Sequence, residues 1–231
     1  MAKKIGILGG MSPESTVAYY LHITHTYTQR YGDFGYPEIL IYSVSFQPYA
    51  DWPGQGRWDL IAHGLSEAAK KLEAAGADFI LIATNTMHLV YDAVQSSVRV
   101  PVLSLLDVVA EAIQAQGSRS VGLLGTRMTM ESSLYSKALQ SRGIEVLTPD
   151  QAGRDYIDHV IYSELVAGQI RPQSRQGVLE IINQLAGQGA QGIILGCTEL
   201  PLLIHADDTP LPLFDTTSLH AEAALQFALQ D

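Results

Sequence analysis

One cysteine, Cys197, stands among 231 residues, so no disulfide can form within the chain. That scarcity fits a reducing compartment, and a cytoplasmic location is the expectation. Charge is sparse as well: 16% of residues are charged, with a net charge of −10. A surplus of acid disfavours a nucleic-acid backbone as partner. It also makes any anionic ligand depend on local positive potential. No uninterrupted apolar run approaches the roughly 20 residues of a membrane span, so no membrane partner is expected. The opening "MAKKIGILGGM" has too short an apolar run for a signal peptide and breaks at Gly9-Gly10. No His/Cys/Asp cluster has metal-ligand spacing, and there is no P-loop. "GILGGMSPES" lacks the spacing of a dinucleotide-binding G-x-G-x-x-G loop. Neither a metal nor a cofactor is therefore expected.

Apolar residues are plentiful, 47% of the chain, enough for a sizeable core. Short apolar runs alternate with helical stretches. Strands are expected at 4–8, 38–44, 78–83, 102–103, 120–125, 145–147, 192–196 and 211–214. Helices are expected at 14–29, 58–75, 86–95, 105–116, 130–140, 152–167, 175–188 and 217–229. Several of these helices stop just before a glycine, as at Gly76, Gly117, Gly143 and Gly189. Strict alternation of strand and helix, with apolar strands, predicts an α/β protein of parallel sheets covered on both faces.

The pattern also repeats. "IGILGGMSPEST" from Ile5 resembles "VGLLGTRMTMES" from Val121, and "AGADFILIATNT" from Ala75 resembles "QGAQGIILGCTE" from Gln188. Each second block is followed by an X-Pro strand start, at Pro101 and at Pro212. Ile5 to Thr84 is 79 residues and Val121 to Cys197 is 76, too close a match to put down to shared apolar words. Two pseudo-symmetric α/β domains are expected, 1–103 plus 214–231 and 104–213, with the site in the cleft between them. Overlaid, the copies put Thr84 on Cys197: a hydroxyl in one, a thiol in the other.

In parallel sheets ligands bind beyond the carboxyl ends of the strands. Met11, Ser12, Thr84, Asn85, Thr86, Thr126, Arg127, Thr129, Cys197, Thr198 and Glu199 all stand at or just past such ends. Helix or turn starts there favour an anion, so Asn85, Thr86 and Thr198 are candidates to hold a carboxylate. The same dipole is expected to lower the Cys197 pKa. Ser12, Thr126 and Thr129 read equally well as helix caps. Acid/base groups on opposite faces of one carbon are what stereoinversion needs, with N–H donors to stabilise the carbanion. His88, in "NTMH", is open between a helper of Thr84 and a cap on the next helix. Glu199 is open between tuning Cys197 and favouring a helix N-terminus. Tyr49, Trp52 and Trp58 suit either a lid or a dimer contact.

"GILGGMSPEST", "ATNTMH", "LLGTRMTM" and "GCTELPLL" together resemble the aspartate/glutamate racemases, a family of amino-acid racemases without a cofactor. The resemblance covers nearly the whole chain. It implies two α/β domains, a homodimer, an amino-acid substrate and two cysteines acting as acid and base. Cys197 matches the second cysteine. The first, in a C-N-T motif, is replaced by Thr84-Asn85-Thr86. A threonine hydroxyl is a far weaker acid than a thiol, so a one-sided racemase is expected, with the L form processed better. The family's usual cations for a second carboxylate are missing from "SFQPYADWPGQGRW" and "IYSELVAGQI", where Val166 takes the place of the expected Lys. Arg127 is the strongest remaining cation; Arg57 and Arg171 read as surface. Alternatives are a cysteine-dependent isomerase or decarboxylase of the same superfamily, a racemase of another small amino acid, and an amino-acid-binding protein without turnover.

Overall fold

The computed structural model describes residues 2–230. In chain order its strands and helices are β1 Ile5–Gly9, α1 Pro13–Tyr31, β2 Ile39–Ser43, α2 Phe46–Gly54, α3 Trp58–Ala74, β3 Phe79–Ile82, α4 Tyr91–Ser97, β4 Val102–Leu103 and α5 Leu105–Ala115. There follow β5 Ser120–Leu124, α6 Arg127–Glu131, α7 Leu134–Gln140, β6 Glu145–Leu147, α8 Gln151–Ser163, α9 Pro172–Gly187, β7 Ile193–Leu195, β8 Leu213–Asp215 and α10 Thr216–Leu229. The strands form two sheets of four, ordered β2-β1-β3-β4 and β6-β5-β7-β8. Every neighbouring pair is parallel. The two sheets thus share one topology, as the sequence repeat predicts. The chain divides into two compact units. One runs up to Leu105 and resumes at Thr217; the other is Leu106–Thr216.

The first sheet shows why continuous apolar runs were needed. In β1, Ile5 and Ile7 face a core made with Tyr19 and Ile23 of α1 and Ala221, Ala224, Leu225 and Ala228 of α10. Leu8 faces the opposite core, with Ile61, Leu65, Ala68, Ala69 and Leu72 of α3. Strand β3 alternates the same way: Phe79 and Leu81 go to the first core, Ile80 and Ile82 to the second. A period of two with both faces buried reads as an unbroken apolar strand. The helices supply i, i+3, i+4, i+7 spacing, as at Ala221, Ala224, Leu225 and Ala228. Each large apolar side chain so buried contributes about 1.5–3 kcal/mol relative to exposure.

Helix α2 was not expected. Its segment holds Pro48 and Pro53 and reads as a loop. Pro48 falls in the first turn, where N–H groups have no intrahelical partner to lose; Pro53 lies inside the helix and forgoes a bond to the Tyr49 carbonyl, and the helix stops one residue later at Gly54. Tyr49 is buried and packs edge-on against Trp52 at 5.2 Å. Trp52 and Trp58 are partly buried against the same core. These aromatics are thus packing groups of the first unit. The helix expected at 130–140 is two helices, broken at the extended Ser132, whose Oγ donates to the Thr129 carbonyl at 3.4 Å. The one expected at 86–95 opens as a 3-10 turn, Thr86–Val90. Among the described residues no helix is long and apolar enough to cross a membrane.

Just past β1, Gly10 has φ +92°, and a Cβ there would run into the Val44 backbone. Gly10→Ala is therefore expected to destabilise the protein by about 2 kcal/mol or more. A urea-denaturation midpoint within error of wild type would refute that expectation.

Candidate active site

The strand registers decide which residues of the two copies correspond. Leu8 pairs with Ile82, and the Ala83 N–H donates to the Leu8 carbonyl at 2.9 Å. Leu124 pairs with Leu195, and the Gly196 N–H donates to the Leu124 carbonyl at 2.7 Å. Ala83 and Gly196 are therefore equivalent. So are the next residues, Thr84 and Cys197, each the second residue past its strand. Gly76 and Gly189, with φ +96° and +105°, close the preceding helical segments in the same manner.

Thr84 is held from several sides. Its N–H donates to the Ile82 carbonyl at 2.9 Å. The preceding Ala83 carbonyl accepts from Ser15 Oγ at 2.8 Å. Its own carbonyl faces His88 Nδ1 at 2.8 Å. The Thr84 side chain is half-buried, Asn85 is buried, and Thr86 opens the 3-10 turn. The β1 end is knitted just as closely. Ser12 caps α1, its Oγ accepting from the Ser15 N–H at 3.2 Å. Thr16 Oγ1 accepts from the Gly10 N–H at 2.8 Å and donates to the Ser12 carbonyl at 3.0 Å. Met11 is buried in the core beside Leu8.

In the second unit Thr126 caps α6. Its Oγ1 accepts from the Thr129 N–H at 3.3 Å and lies 3.1 Å from Thr129 Oγ1. The Arg127 guanidinium pairs with Asp155 at 2.6 Å, and its N–H donates to Asp158 at 2.7 Å. The cation marked for a second carboxylate thus already has one.

Cys197 Sγ donates to Glu199 Oε2 at 2.8 Å, and Thr198 Oγ1 donates to the same oxygen at 2.8 Å. All three side chains are half-buried. Burial pushes the Cys197 thiol well above its ordinary pKa, and the Glu199 charge and hydrogen bond push it further. The N–H groups of Glu199 and Thr198 act on the sulfur in the opposite sense and are outweighed. This corrects the expectation of a lowered pKa. Past Cys197 lies only the three-residue 3-10 turn Leu200–Leu202, with little dipole to offer, and a carboxylate sits on the sulfur. Glu199 is thereby a partner of the thiol. At rest Cys197 is a thiol, ready to donate; to act as a base it must first give up its proton.

Sequence reasoning missed Tyr162, on α8. Its phenol pKa is raised, first by loss of water around it and then by the charges of Cys197, once ionised, of Asp158 and of Glu199. It carries no motif of its own. It also missed Ser15, Tyr19 and His220. His220 is fully buried; Tyr19 Oη lies 3.0 Å from its Nδ1, and its Nε2 lies 3.1 Å from the Leu103 carbonyl. Burial, then the nearby His88, lowers its pKa from 6.5 to about 3.

A folded-state histidine pKa below the unfolded one means that the unfolded chain binds the extra proton. The stabilisation is complete above about pH 6.5 and drains away as pH falls towards 3. His220 alone should cost about 1.4 kcal/mol of stability per pH unit across that window. Urea midpoints at pH 7, 6, 5 and 4 check this, and His220→Gln should flatten the acid slope. An identical slope in that variant would assign the acid sensitivity elsewhere.

Among the described residues no His/Cys/Asp/Glu group is placed to hold a metal ion. The two units share one parallel α/β topology, and comparison with known proteins gives the class. The model of the Asp/Glu/Hydantoin racemase family matches residues 8–224, and the chain belongs to that family, hence to the isomerases. It is 30% identical over 227 residues to the broad specificity amino-acid racemase RacX of Bacillus subtilis (strain 168), covering 96% of each chain. It matches a crystal structure of a candidate Asp/Glu racemase from Yersinia pestis with TM-score 0.93 and 43% identity, over 99% of this chain and 100% of that one. An aspartate racemase homologue from Pyrococcus horikoshii OT3 follows at TM-score 0.90 and 38% identity, with the same coverage.

Proposed function

We propose that the protein racemises acidic amino acids, aspartate or glutamate, by Cα proton transfer between Cys197 and Thr84. The observation that carries this reading is the equivalence of the two residues in matched sheets. In one direction the Cys197 thiolate, its proton passed to Glu199, removes the Cα proton. Thr84, or a water that it holds, returns a proton from the opposite side and is reprotonated by solvent. The reverse direction asks a hydroxyl to act as base, so Cα-proton exchange is favoured from one enantiomer, the L form, while net inversion, whose equilibrium favours neither enantiomer, keeps the same kcat/KM in both directions. No cofactor enters the proposal. A cytoplasmic homodimer belongs to the same reading, supported by the family resemblance and the single cysteine.

A second reading concerns breadth. Arg127 is already paired with Asp155, and the Lys expected in the family is Val166. A substrate without a second carboxylate loses less in such a site. The relative named as a broad specificity amino-acid racemase points the same way. Proton NMR in D₂O with both enantiomers of aspartate, glutamate and several neutral amino acids separates the two. Cα-proton loss confined to the acidic pair supports the first reading, and equal loss across the set supports the second. No loss with any of them would sink the racemase proposal.

A further inference from the structure

The tautomers of two buried histidines can be assigned from their partners alone. His88 is 3% exposed. Its Nε2 accepts from the Leu105 backbone N–H at 3.2 Å. A backbone amide can only donate, so Nε2 carries a lone pair. The ring proton therefore sits on Nδ1, which donates to the Thr84 carbonyl 2.8 Å away. His220 is the reverse. Its Nε2 faces a carbonyl, that of Leu103, so Nε2 carries the proton and Nδ1 accepts from Tyr19 Oη. The two rings meet edge to face at 5.9 Å, both neutral, in opposite tautomers.

We propose that His88, as the neutral Nδ1–H tautomer, is a positioning residue for Thr84 and governs only the half of the reaction that passes through that hydroxyl. This rests on the racemase reading. The argument is geometric. The Thr84 N–H is committed to the Ile82 carbonyl and its own carbonyl to His88. Both peptides flanking the Thr84 Cα are thereby held, and the hydroxyl is left with a choice among staggered rotamers. Without the His88 bond the Thr84 carbonyl loses that restraint, and the Thr84 Cα, with the Oγ1 it carries, can shift. Misplacement by a fraction of an ångström is costly for proton transfer. Cys197 lies in the other unit and makes no use of this bond.

Two substitutions divide the functions of the ring. An Asn amide reaches about where Nδ1 stands, so His88→Asn keeps a donor to the Thr84 carbonyl and leaves the Leu105 N–H unpaired. A Gln oxygen reaches about where Nε2 stands, so His88→Gln keeps the Leu105 bond and loses the Thr84 bond. In D₂O, Cα-proton loss from the favoured enantiomer reports the Cys197 step, and accumulation of its mirror image reports delivery through Thr84. The ratio of inversion to proton loss is expected to fall about tenfold or more in His88→Gln and to stay near wild type in His88→Asn. An equal fall in both variants, in step with lost thermal stability, would overturn the proposal. So would a ratio that does not move in His88→Gln.

The racemase reading fails separately, if the wild-type protein exchanges no Cα proton with any amino acid tested. In that event the assignment is still decided by long-range ¹H–¹⁵N spectra of the folded protein. They are expected to show Nδ1–H on His88 and Nε2–H on His220, and the opposite tautomer on His88 would overturn the proposal without recourse to turnover.

Discussion

Cys197→Ser is expected to abolish Cα-proton exchange, lowering it by about 10²–10⁴-fold, while leaving the fold intact. The substitution is nearly isosteric but exchanges a thiol, with an ordinary pKa of ~8.5, for a hydroxyl that is a far weaker acid. The variant would carry hydroxyls at both equivalent positions, Thr84 and residue 197. The complementary change, Thr84→Cys, places thiols at both. It should speed proton loss from the disfavoured enantiomer and bring the exchange rates of the two enantiomers closer together. Proton NMR in D₂O, run from each enantiomer separately, reads both effects. Unimpaired exchange in Cys197→Ser would remove Cys197 from the chemistry. A Thr84→Cys enzyme as one-sided as wild type would remove Thr84.

Glu199→Gln is expected to have the next largest effect, with opposite signs in two assays. The Glu199 carboxylate accepts the Cys197 proton at 2.8 Å and its charge opposes a thiolate. Replacing it with a neutral amide removes that charge and lowers the Cys197 pKa. Below the pKa, thiolate content rises about tenfold for each unit of that fall, so iodoacetamide should alkylate the variant faster at a given pH. Exchange of the substrate Cα proton should nevertheless slow, because the group proposed to take the thiol proton during turnover is lost. Thiolate gained and catalysis lost in one variant cannot be explained by a carboxylate that merely favours a helix start. If the pH profile of alkylation does not move, Glu199 does not control the sulfur.

Much of this was legible in advance, and for a local reason. Both faces of each parallel strand are buried, so the strands appear as short unbroken apolar words. All eight expected strands are present, at most a residue or two shifted at either end. Because the unit is duplicated, the words recur, and the recurrence matches Thr84 to Cys197 before any register is known. The errors were also local. Helix α2 is hidden by two prolines, Pro48 in its tolerant first turn and Pro53 just before its end. Three expected helices run through points where the backbone breaks: the 3-10 turn Thr86–Val90, Ser132, and Glu164, past which 165–167 is a 3-10 turn.

The site was legible only as a list of residue types at strand ends. That Ser12, Thr126 and Thr129 satisfy helix N-termini, and that Arg127 lies against Asp155, depends on atoms within a few ångströms of each other. The Arg127–Asp155 pair joins residues 28 positions apart. At Cys197 the strand end suggests a dipole that lowers the pKa, whereas burial and a carboxylate raise it. His88 and His220 show the same limit. They are 132 positions apart, and each tautomer is set by a backbone group that no motif announces.

By itself, then, the sequence determined the α/β class, the duplication, the family and the thiol–hydroxyl pair, since periodicity and repeat spacing are properties of the chain as written. Tertiary structure alone decided which polar groups are already engaged, whether the thiol rests protonated, and what holds Thr84. Those depend on distance and on exclusion of water, and both come into being only when remote segments pack together.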